Sequence, residues 1–239
     1  MISKNIIGFI PARYQSSRFP GKPLVDILGK SMIQRVYEQA QKAGCLTEVV
    51  VLTDDERIFN HVISFGGKVK MTASSLPNGT ARILSVIDEY SDNIKGFINI
   101  QGDEPFIDPE QIEQVGKGIL NGNPVTTLKY KTTEKTDRNS VKVVCNNYDK
   151  ALYFSRENIP HNAKEYFLHV GIYGFSINIL KQLKNLSESV YQLDTTESLE
   201  QLKWMSNGID IFAYTTDKKT IGIDTEEDLK TIEKLYRKT

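Results

Sequence analysis

The sequence predicts an α/β fold with a mostly parallel sheet, helices on both faces and a small antiparallel lobe. Helix and strand signals alternate over short loops through the first half of the chain, which is typical of a parallel sheet covered by helices. From about residue 125 to residue 185, strand signals follow one another with little helix between them. The 239 residues therefore fit a single domain whose β-rich lobe offers room for a second substrate and a subunit contact.

In the first half, each predicted strand is a short apolar run bounded by turn residues. These runs cover residues 6–10, 48–53, 69–72 and 97–101. A capping box of Ser31 and Gln34 predicts the start of the first helix, and Gly44 predicts its end. Later helices are expected to begin near residues 54, 79 and 109.

In the second half, the predicted strands cover residues 125–130, 141–144, 151–155, 169–175 and 209–214. Asp194 with Glu197 predicts a capped helix that runs to about Met205. Thr225 with Asp228 resembles a capping box for the final helix. The side chains of this helix expected to face the core are Leu229, Ile232 and Leu235.

The composition excludes several classes of protein. Thirty Lys and Arg residues balance thirty Asp and Glu residues, so no overall field attracts nucleic acid or an anionic membrane. Cys45 and Cys145 lie far apart and form no metal or redox motif. No apolar run reaches membrane-spanning length, and the first residues lack a signal-peptide pattern. We therefore expect a soluble, cytoplasmic protein.

The loop after the first strand is rich in cations, hydroxyl groups and glycine. Its cations, serines and glycine are Arg13, Ser16, Ser17, Arg18, Gly21 and Lys22. A buried strand that opens into such a loop before a helix is a common arrangement for binding phosphates. Because Pro23 follows Lys22, the loop is not of the Walker type, and no GxGxxG string is present. The loop indicates a polyphosphate site, and the alternative is a solvated loop that carries three cations.

Two acidic positions follow predicted strands. Asp103 lies in the string Gly-Asp-Glu-Pro, and strand alternation predicts that Asn99 and Gln101 share its face. Asp224 follows an apolar stretch and precedes the last helix. Two acids from separate strand ends are suited to hold the Mg²⁺ of a nucleoside triphosphate. The alternatives are an acidic turn at Asp103 and a helix cap at Asp224.

Three further groups of polar residues lie in the second half. His169 and Tyr173 alternate with apolar residues and are expected on one strand face, which suits a small-molecule surface, although a buried core histidine is common. Glu197, Glu200 and Gln201 are spaced as one helix face, which is often merely solvated. Arg156 follows a strand and is suited to meet a substrate carboxylate.

Together these strings resemble the 3-deoxy-D-manno-octulosonate (Kdo) cytidylyltransferase family, also called CMP-Kdo synthetases. The matching strings include IPARYQSSRFPGKPL, NGTAR, NIQGDEPFI, ALYFSR, HVGIYGF, ESLEQL and GIDTEEDL. They occur in the family's order from Ile6 to the last helix, and so cover nearly the whole chain. Related acylneuraminate cytidylyltransferases typically have Asn after the loop lysine, where this chain has Pro23.

The resemblance implies a Rossmann-like nucleotidyltransferase that moves CMP from CTP to the anomeric hydroxyl of Kdo, for lipopolysaccharide synthesis, with Mg²⁺ and as a homodimer. The residues it places at the triphosphate are Arg13, Ser16, Ser17, Arg18 and Lys22. Those at the nucleoside are Asn78, Gly79, Thr80, Arg82 and Gln101. Those at the sugar are Arg156, His169, Tyr173, Glu200 and Gln201, with the cations facing its carboxylate. The resemblance also implies that Asp103 and Asp224 bind Mg²⁺ and, with Arg13 and Lys22, form the catalytic group.

The chain departs from the family pattern at three positions. Ala81 stands where an acid is common, Leu168 where an Arg is common, and Asp194 where a Glu is frequent. These departures leave open a related acidic sugar, such as an 8-amino analogue or a sialic-acid-like sugar. A catalytically silent nucleotide- or sugar-binding protein is the alternative of a different class.

Overall fold

The computed structural model describes residues 5–15, 19–90, 92, 94–133, 138–188 and 191–236. The chain divides into two compact units, one of Met1–Glu113 with Thr220–Thr239 and one of Gln114–Lys219. Ser16, Ser17 and Arg18 lie outside the described residues. None of the described helices combines the length and the apolar character that are needed to cross a bilayer.

The first unit is built on parallel strands. They are β1 (Ile6–Ala12), β4 (Leu46–Thr53), β5 (Val69–Met71) and β6 (Gly96–Asn99), beside a short antiparallel ribbon of β2 (Asp26–Ile27) and β3 (Lys30–Ser31). Strand β1 pairs in parallel with both β4 and β6, and β4 pairs in parallel with β5. Almost every residue of β1 is buried, which explains its continuous apolar run. The prediction of an α/β fold with a mostly parallel sheet is confirmed.

The helices of the first unit begin where their caps predict. They are α1 (Met32–Gln41), α2 (Glu56–Ser64), α3 (Gly79–Leu84), the start of α4 (Pro109–Leu120), and α8 (Glu226–Tyr236). The Gln34 amide donates to Ser31 Oγ over 3.2 Å. The Asp228 amide donates to Thr225 Oγ1 over 3.2 Å, and the Thr225 amide donates back to Asp228 Oδ2 over 2.8 Å. Both predicted caps are therefore confirmed.

One of the three residues predicted to face the core from α8 is exposed instead. Ile232 is buried in a cluster with Ile27 and Met32, as expected, but Leu235 is 56% exposed. The Tyr236 ring instead stacks on Phe106, with 3.8 Å between the ring centroids. The apolar stripe continues from Leu229 to Tyr236, because a spacing of seven residues keeps both on the same helix face.

The second unit is richer in strands, as predicted. They are β7 (Val125–Thr132), β8 (Lys142–Cys145), β9 (Ala151–Ser155), β10 (Tyr166–Ser176) and β11 (Ile211–Thr216). The pairs β7–β10, β8–β10 and β8–β9 are antiparallel, and β11 pairs in parallel with β7. The short helices of this unit are α5 (Leu180–Lys184), α6 (Leu193–Glu197) and α7 (Gln201–Ser206).

The single helix predicted from Asp194 to Met205 is wrong. Ser198 has a left-handed backbone, with φ 53° and ψ 48°, and it separates α6 from α7. Asp194 lies inside α6 rather than at its cap, which is Gln192. A left-handed residue ends a helix because the chain there leaves the right-handed path. Glu197, Glu200 and Gln201 therefore do not share one continuous helix face.

Candidate functional site

Two glycines allow loops to close on the end of β1. A Cβ atom at Gly102 would lie 2.8 Å from the Pro11 carbonyl oxygen, and one at Gly79 would lie 3.1 Å from Pro11 Cγ. A side chain at Gly102 would collide with the backbone, and one at Gly79 would crowd the Pro11 ring. The loop that carries Asp103 and the loop that carries Asn78 are thereby held at the carboxyl end of the strand, where open sheets bind ligands.

Lys22 meets both acids that the sequence singled out. Its Nζ lies 2.8 Å from Asp103 Oδ2 and 3.1 Å from Asp224 Oδ1. Lys22 follows Gly21, whose φ of 74° suits glycine, and begins a 3₁₀ turn over Lys22–Leu24. The side chains of Lys22, Asp103 and Asp224 are 14%, 31% and 44% exposed, so a ligand can reach the cluster from solvent.

These carboxylates suit a metal ion that is shared with a ligand. Two acidic oxygens lie within about 3 Å of one ammonium, so they already surround a position for a cation. Within the described part of the chain, no group of three or more His, Cys, Asp or Glu residues is arranged to hold a metal. Mg²⁺ commonly binds one or two carboxylates together with phosphate oxygens and water. The residues therefore fit Mg²⁺ held jointly with a polyphosphate, and not an all-protein cage.

The backbone around Asp224 is fixed by the start of α8. The Ile223 amide donates to the Asp103 carbonyl over 2.9 Å, which ties the two acidic segments together. The Asp228 carboxylate accepts from the Asp224 amide over 3.0 Å. Burial alone would raise the pKa of Asp228, but hydrogen bonds from Thr225 and Asp224 outweigh it and hold the pKa below its usual range.

The residues predicted at the nucleoside partly serve to hold α3. Asn78 Oδ1 accepts from the Ala81 amide over 2.8 Å and so caps the helix. Arg82 is almost fully buried, and its guanidinium donates to Asp54 Oδ2 over 2.9 Å and to Thr72 Oγ1. Sequence reasoning did not single out Asp54 for this pair, although an acid directly after a buried strand was a usable signal. A contact of Arg82 with a nucleotide stays a prediction.

The alternation argued for residues 99 to 103 does not hold. Strand β6 ends at Asn99, which is buried, and Gly102 and Asp103 lie in a turn. Gly79 packs close to Asn99, with 3.4 Å between a Cβ built there and Asn99 Nδ2. Gln101 is partly exposed and Arg13 is exposed. The turn, and not a strand face, therefore directs Asp103 towards Lys22.

Glu104 is a buried acid that sequence reasoning missed. Among the described residues, its Oε2 atom has no hydrogen-bond partner. Burial, with a smaller contribution from the neighbouring Asp103 charge, raises its pKa to about 8. The group is therefore largely protonated at neutral pH, in contrast to the two acids that form ion pairs with Lys22.

In the second unit, the surroundings of His169 favour its neutral form. Its Nε2 atom lies 3.0 Å from Thr127 Oγ1, and that hydroxyl also lies 2.7 Å from the Ile172 carbonyl oxygen. Since the hydroxyl has one proton to give to a carbonyl, Nε2 donates to it and Nδ1 is left as an acceptor. Burial lowers the pKa of His169 to about 3. The expectation that His169 brings a positive charge to a sugar carboxylate is therefore corrected.

Tyr173 lies beside His169 despite an irregular register in β10. The register shifts between Val170 and Tyr173, yet the His169 and Tyr173 rings are 5.0 Å apart. The Tyr173 hydroxyl is buried and has no hydrogen-bond partner among the described residues. Burial, and then the Glu200 charge, raises its pKa well above the usual value, so Tyr173 stays protonated. A protonated, unpaired hydroxyl near a carboxylate suits a ligand with polar groups.

Arg156 is held by main-chain acceptors. Its guanidinium donates to the carbonyl oxygens of Glu197, Arg138 and Ser198 over 2.9, 3.2 and 3.3 Å. Gln201 is buried at the start of α7. The residues predicted for a sugar, Arg156, His169, Tyr173, Glu200 and Gln201, therefore all belong to the second unit.

Comparison with known proteins defines the class first. A family profile described as cytidylyltransferase matches residues 7–211. A solved structure described as a cytidylyltransferase from Leptospira borgpetersenii shares the fold, with a TM-score of 0.65 at 17% identity over 98% of this chain and 87% of that one. The chain is thus a nucleotidyltransferase in fold.

More similar proteins define the family. A 3-deoxy-manno-octulosonate cytidylyltransferase of Cytophaga hutchinsonii is 43% identical over 94% of this chain and 95% of its own length. A mitochondrial enzyme of that name from Arabidopsis thaliana is 42% identical over 97% of this chain and 83% of its own length. A CMP:2-keto-3-deoxy-manno-octonic acid synthetase solved with CTP has a TM-score of 0.91 at 41% identity, covering 98% of this chain and 99% of that one. The chain belongs to the 3-deoxy-manno-octulosonate cytidylyltransferase family.

Proposed function

We propose that this protein transfers CMP from CTP to the anomeric hydroxyl of Kdo and releases pyrophosphate. The observation that carries the proposal is the meeting of Lys22 with Asp103 and Asp224. It combines a phosphate-binding cation with two metal-binding acids in one exposed cluster. The proposal is also supported by family membership and by the similar structure described in complex with CTP.

The chemistry requires alignment and charge neutralisation rather than a covalent nucleophile. The sugar oxygen forms a bond to the α-phosphorus, the bond from that phosphorus to the pyrophosphate oxygen breaks, and the hydroxyl proton leaves to solvent. Lys22 and Arg13 would bind the phosphate oxygens, and Ser16, Ser17 and Arg18 belong to the same loop. Mg²⁺, held by Asp103 and Asp224, would neutralise negative charge on the phosphates.

The second unit supplies groups that suit an acidic sugar. Among the described residues, Arg156 keeps two of its five guanidinium N–H groups for a carboxylate. Neutral His169 offers an acceptor at Nδ1 for a sugar hydroxyl, and the buried Tyr173 hydroxyl lacks a protein partner within the described ranges. Glu200 and Gln201 follow in the same unit and would accept or donate hydrogen bonds to the remaining hydroxyls.

We further propose that the protein acts as a cytoplasmic homodimer in lipopolysaccharide synthesis. The support is the family membership alone. Light scattering of the purified protein tests the dimer, since a mass near 54 kDa is about twice the 27.1 kDa of the chain.

A pyrophosphate-release assay tests the proposed reaction. The protein is incubated with Mg²⁺, each of the four ribonucleoside triphosphates, and Kdo, 8-amino-Kdo or a sialic acid. Release with CTP and Kdo supports the proposal. Release only with 8-amino-Kdo or the sialic acid reassigns the acceptor, which the departures at Ala81 and Leu168 make worth testing. Binding of CTP without release with any acceptor contradicts the proposed transfer.

A further inference from the structure

Glu197 joins two segments of the second unit that carry predicted sugar-binding residues. Its Oε1 atom accepts from the Ser155 hydroxyl over 2.7 Å, and Oε2 accepts from the Arg156 amide over 2.9 Å. Ser155 ends β9 and is 3% exposed. The carboxylate thus fixes the chain where β9 ends, directly before the Arg156 side chain.

The Arg156 side chain in turn donates hydrogen bonds to the main chain at Glu197 and the next residue. Its Nε donates to the Glu197 carbonyl over 2.9 Å, and Nη2 donates to the Ser198 carbonyl over 3.3 Å. The Arg156 carbonyl in turn accepts from the buried Lys142 ammonium. Side chain and main chain of both residues therefore bind each other, which holds the Arg156 guanidinium in one orientation.

The same contacts hold the break between α6 and α7. Ser198 keeps a left-handed backbone without being glycine, and such a conformation persists where its surroundings fix it. The Arg156 guanidinium binds the carbonyl of this residue and of the one before it. Glu200 and Gln201 come directly after the break, so their positions depend on where it lies.

We propose that Glu197 is a positioning residue for the acidic sugar, acting through Arg156 on one side and through Glu200 and Gln201 on the other. This inference rests on the proposed function. Glu197 does not need to touch the substrate, because its two oxygens are occupied by Ser155 and Arg156. Its loss is expected to weaken use of the sugar selectively, while use of CTP is retained.

The test compares KM values for Kdo and CTP in the pyrophosphate-release assay. Glu197→Ala removes two hydrogen bonds to a charged group and is expected to raise KM for Kdo about ten- to hundredfold. Glu197→Gln is expected to lie between wild type and alanine, because its amide oxygen still accepts from the Arg156 N–H while its NH₂ group faces the Ser155 hydroxyl. Both variants are expected to keep KM for CTP within about twofold of wild type.

Glu188→Ala is the matched control. Glu188 lies in the same unit, is 86% exposed and pairs with Lys203 over 2.7 Å. An exposed pair contributes little, so KM for both substrates is expected to stay at the wild-type value. If Glu197→Ala does not fold, Ser155→Ala removes one of the two contacts and must show the same Kdo-selective rise.

The outcomes separate the two proposals. Wild type that releases no pyrophosphate with CTP and any acceptor contradicts the proposed function and this inference with it. If the wild type is active but the Glu197 variants show a rise in KM for both Kdo and CTP, or for neither, only the positioning role is contradicted. Faster amide hydrogen exchange over residues 193–201 in Glu197→Ala, without a change in 151–154, would further support it.

Discussion

The candidate sites of the two units differ in the charge state and the burial of their side chains. In the first unit, Lys22 meets Asp103 and Asp224 as ions, in a cluster open to solvent. In the second unit, His169 and Tyr173 are neutral and buried or partly buried, because desolvation shifts both pKa values towards the uncharged form. Ions in an exposed cluster can replace their protein partners with a charged ligand. Uncharged buried groups instead recognise a ligand by its shape and its hydrogen-bonding groups. This difference is consistent with the proposal that the first unit binds the polyphosphate and that His169 and Tyr173 contact the hydroxyl groups of the sugar.

The largest expected effect is at the charged cluster. Asp103→Asn keeps the size of the side chain but removes a negative charge beside Lys22. We expect kcat to fall about 100-fold or more, the size of effect seen when one electrostatic group of an active site is removed. Circular dichroism should show an unchanged fold. Asp210→Asn, in an exposed pair with Lys150, is the control and should keep its rate. A folded Asp103→Asn enzyme with the wild-type rate would contradict the role given to this acid.

The neutral state of His169 predicts a dependence of stability on pH. The folded-state pKa of about 3 lies below the ordinary 6.5, so between these values the unfolded chain binds a proton that the folded protein does not. The contribution is therefore fully present above pH 6.5 and is lost as the pH falls towards 3. From pH 6.5 to pH 5 the loss amounts to about 2 kcal/mol in the free energy of unfolding.

Urea unfolding of wild type and His169→Gln at pH 7 and pH 5 measures the contribution of His169 to the pH dependence of the free energy of unfolding. The variant should lose about 2 kcal/mol less than wild type over the interval, since the other titrating groups are common to both proteins. His161→Gln, at an exposed position, should behave as wild type. Equal losses in His169→Gln and wild type would show that the pKa of His169 is not lowered in the folded protein.

A third prediction concerns competition for the two acids. The Lys22 ammonium contacts both Asp103 and Asp224, the two acids that are proposed to hold Mg²⁺. Removing its charge in Lys22→Gln should raise the affinity for Mn²⁺ without nucleotide about tenfold, because about 1.4 kcal/mol of repulsion is lost. Electron paramagnetic resonance of free Mn²⁺ measures this directly. In the double variant Lys22→Gln with Asp103→Asn, the increase in Mn²⁺ affinity should disappear. An increase that persists in the double variant would show that the metal binds elsewhere.

Local signals predicted much of the first unit. The apolar run of β1 and the caps at Ser31 and Thr225 each depend on residues within four positions, so they are visible in the sequence. The meeting of Lys22 with two distant acids was expected because each was predicted to follow a strand, and strand ends share one edge of a parallel sheet. For Asp224 this reason was wrong, since residues 217–224 form no strand and the Ile223 amide instead joins the Asp103 carbonyl. The fold supplies that long-range information.

The remaining features had no local signal. Glu197 and Arg156 are 41 residues apart, and Arg82 and Asp54 are 28 apart, so nothing in either segment identifies its partner. Ser198 adopts a left-handed backbone without the glycine that marks such breaks, which is why one helix was predicted where two exist. Contacts between segments override local preference at these points.

The smallest expected effect distinguishes a ligand-binding hydroxyl from a structural one. The Tyr173 hydroxyl is buried without a partner among the described residues, and Trp204 packs against its ring at 4.9 Å. Tyr173→Phe keeps the ring and removes only this group, so the free energy of unfolding should stay equal or rise by about 1 kcal/mol. In the same protein, KM for Kdo should rise several-fold, because a hydroxyl that the protein leaves unpaired is then missing for the sugar. Tyr148→Phe, whose residue is 81% exposed, is the control for both measurements. A loss of stability without a change in KM would assign Tyr173 to the core of the second unit and would contradict its proposed contact with the sugar.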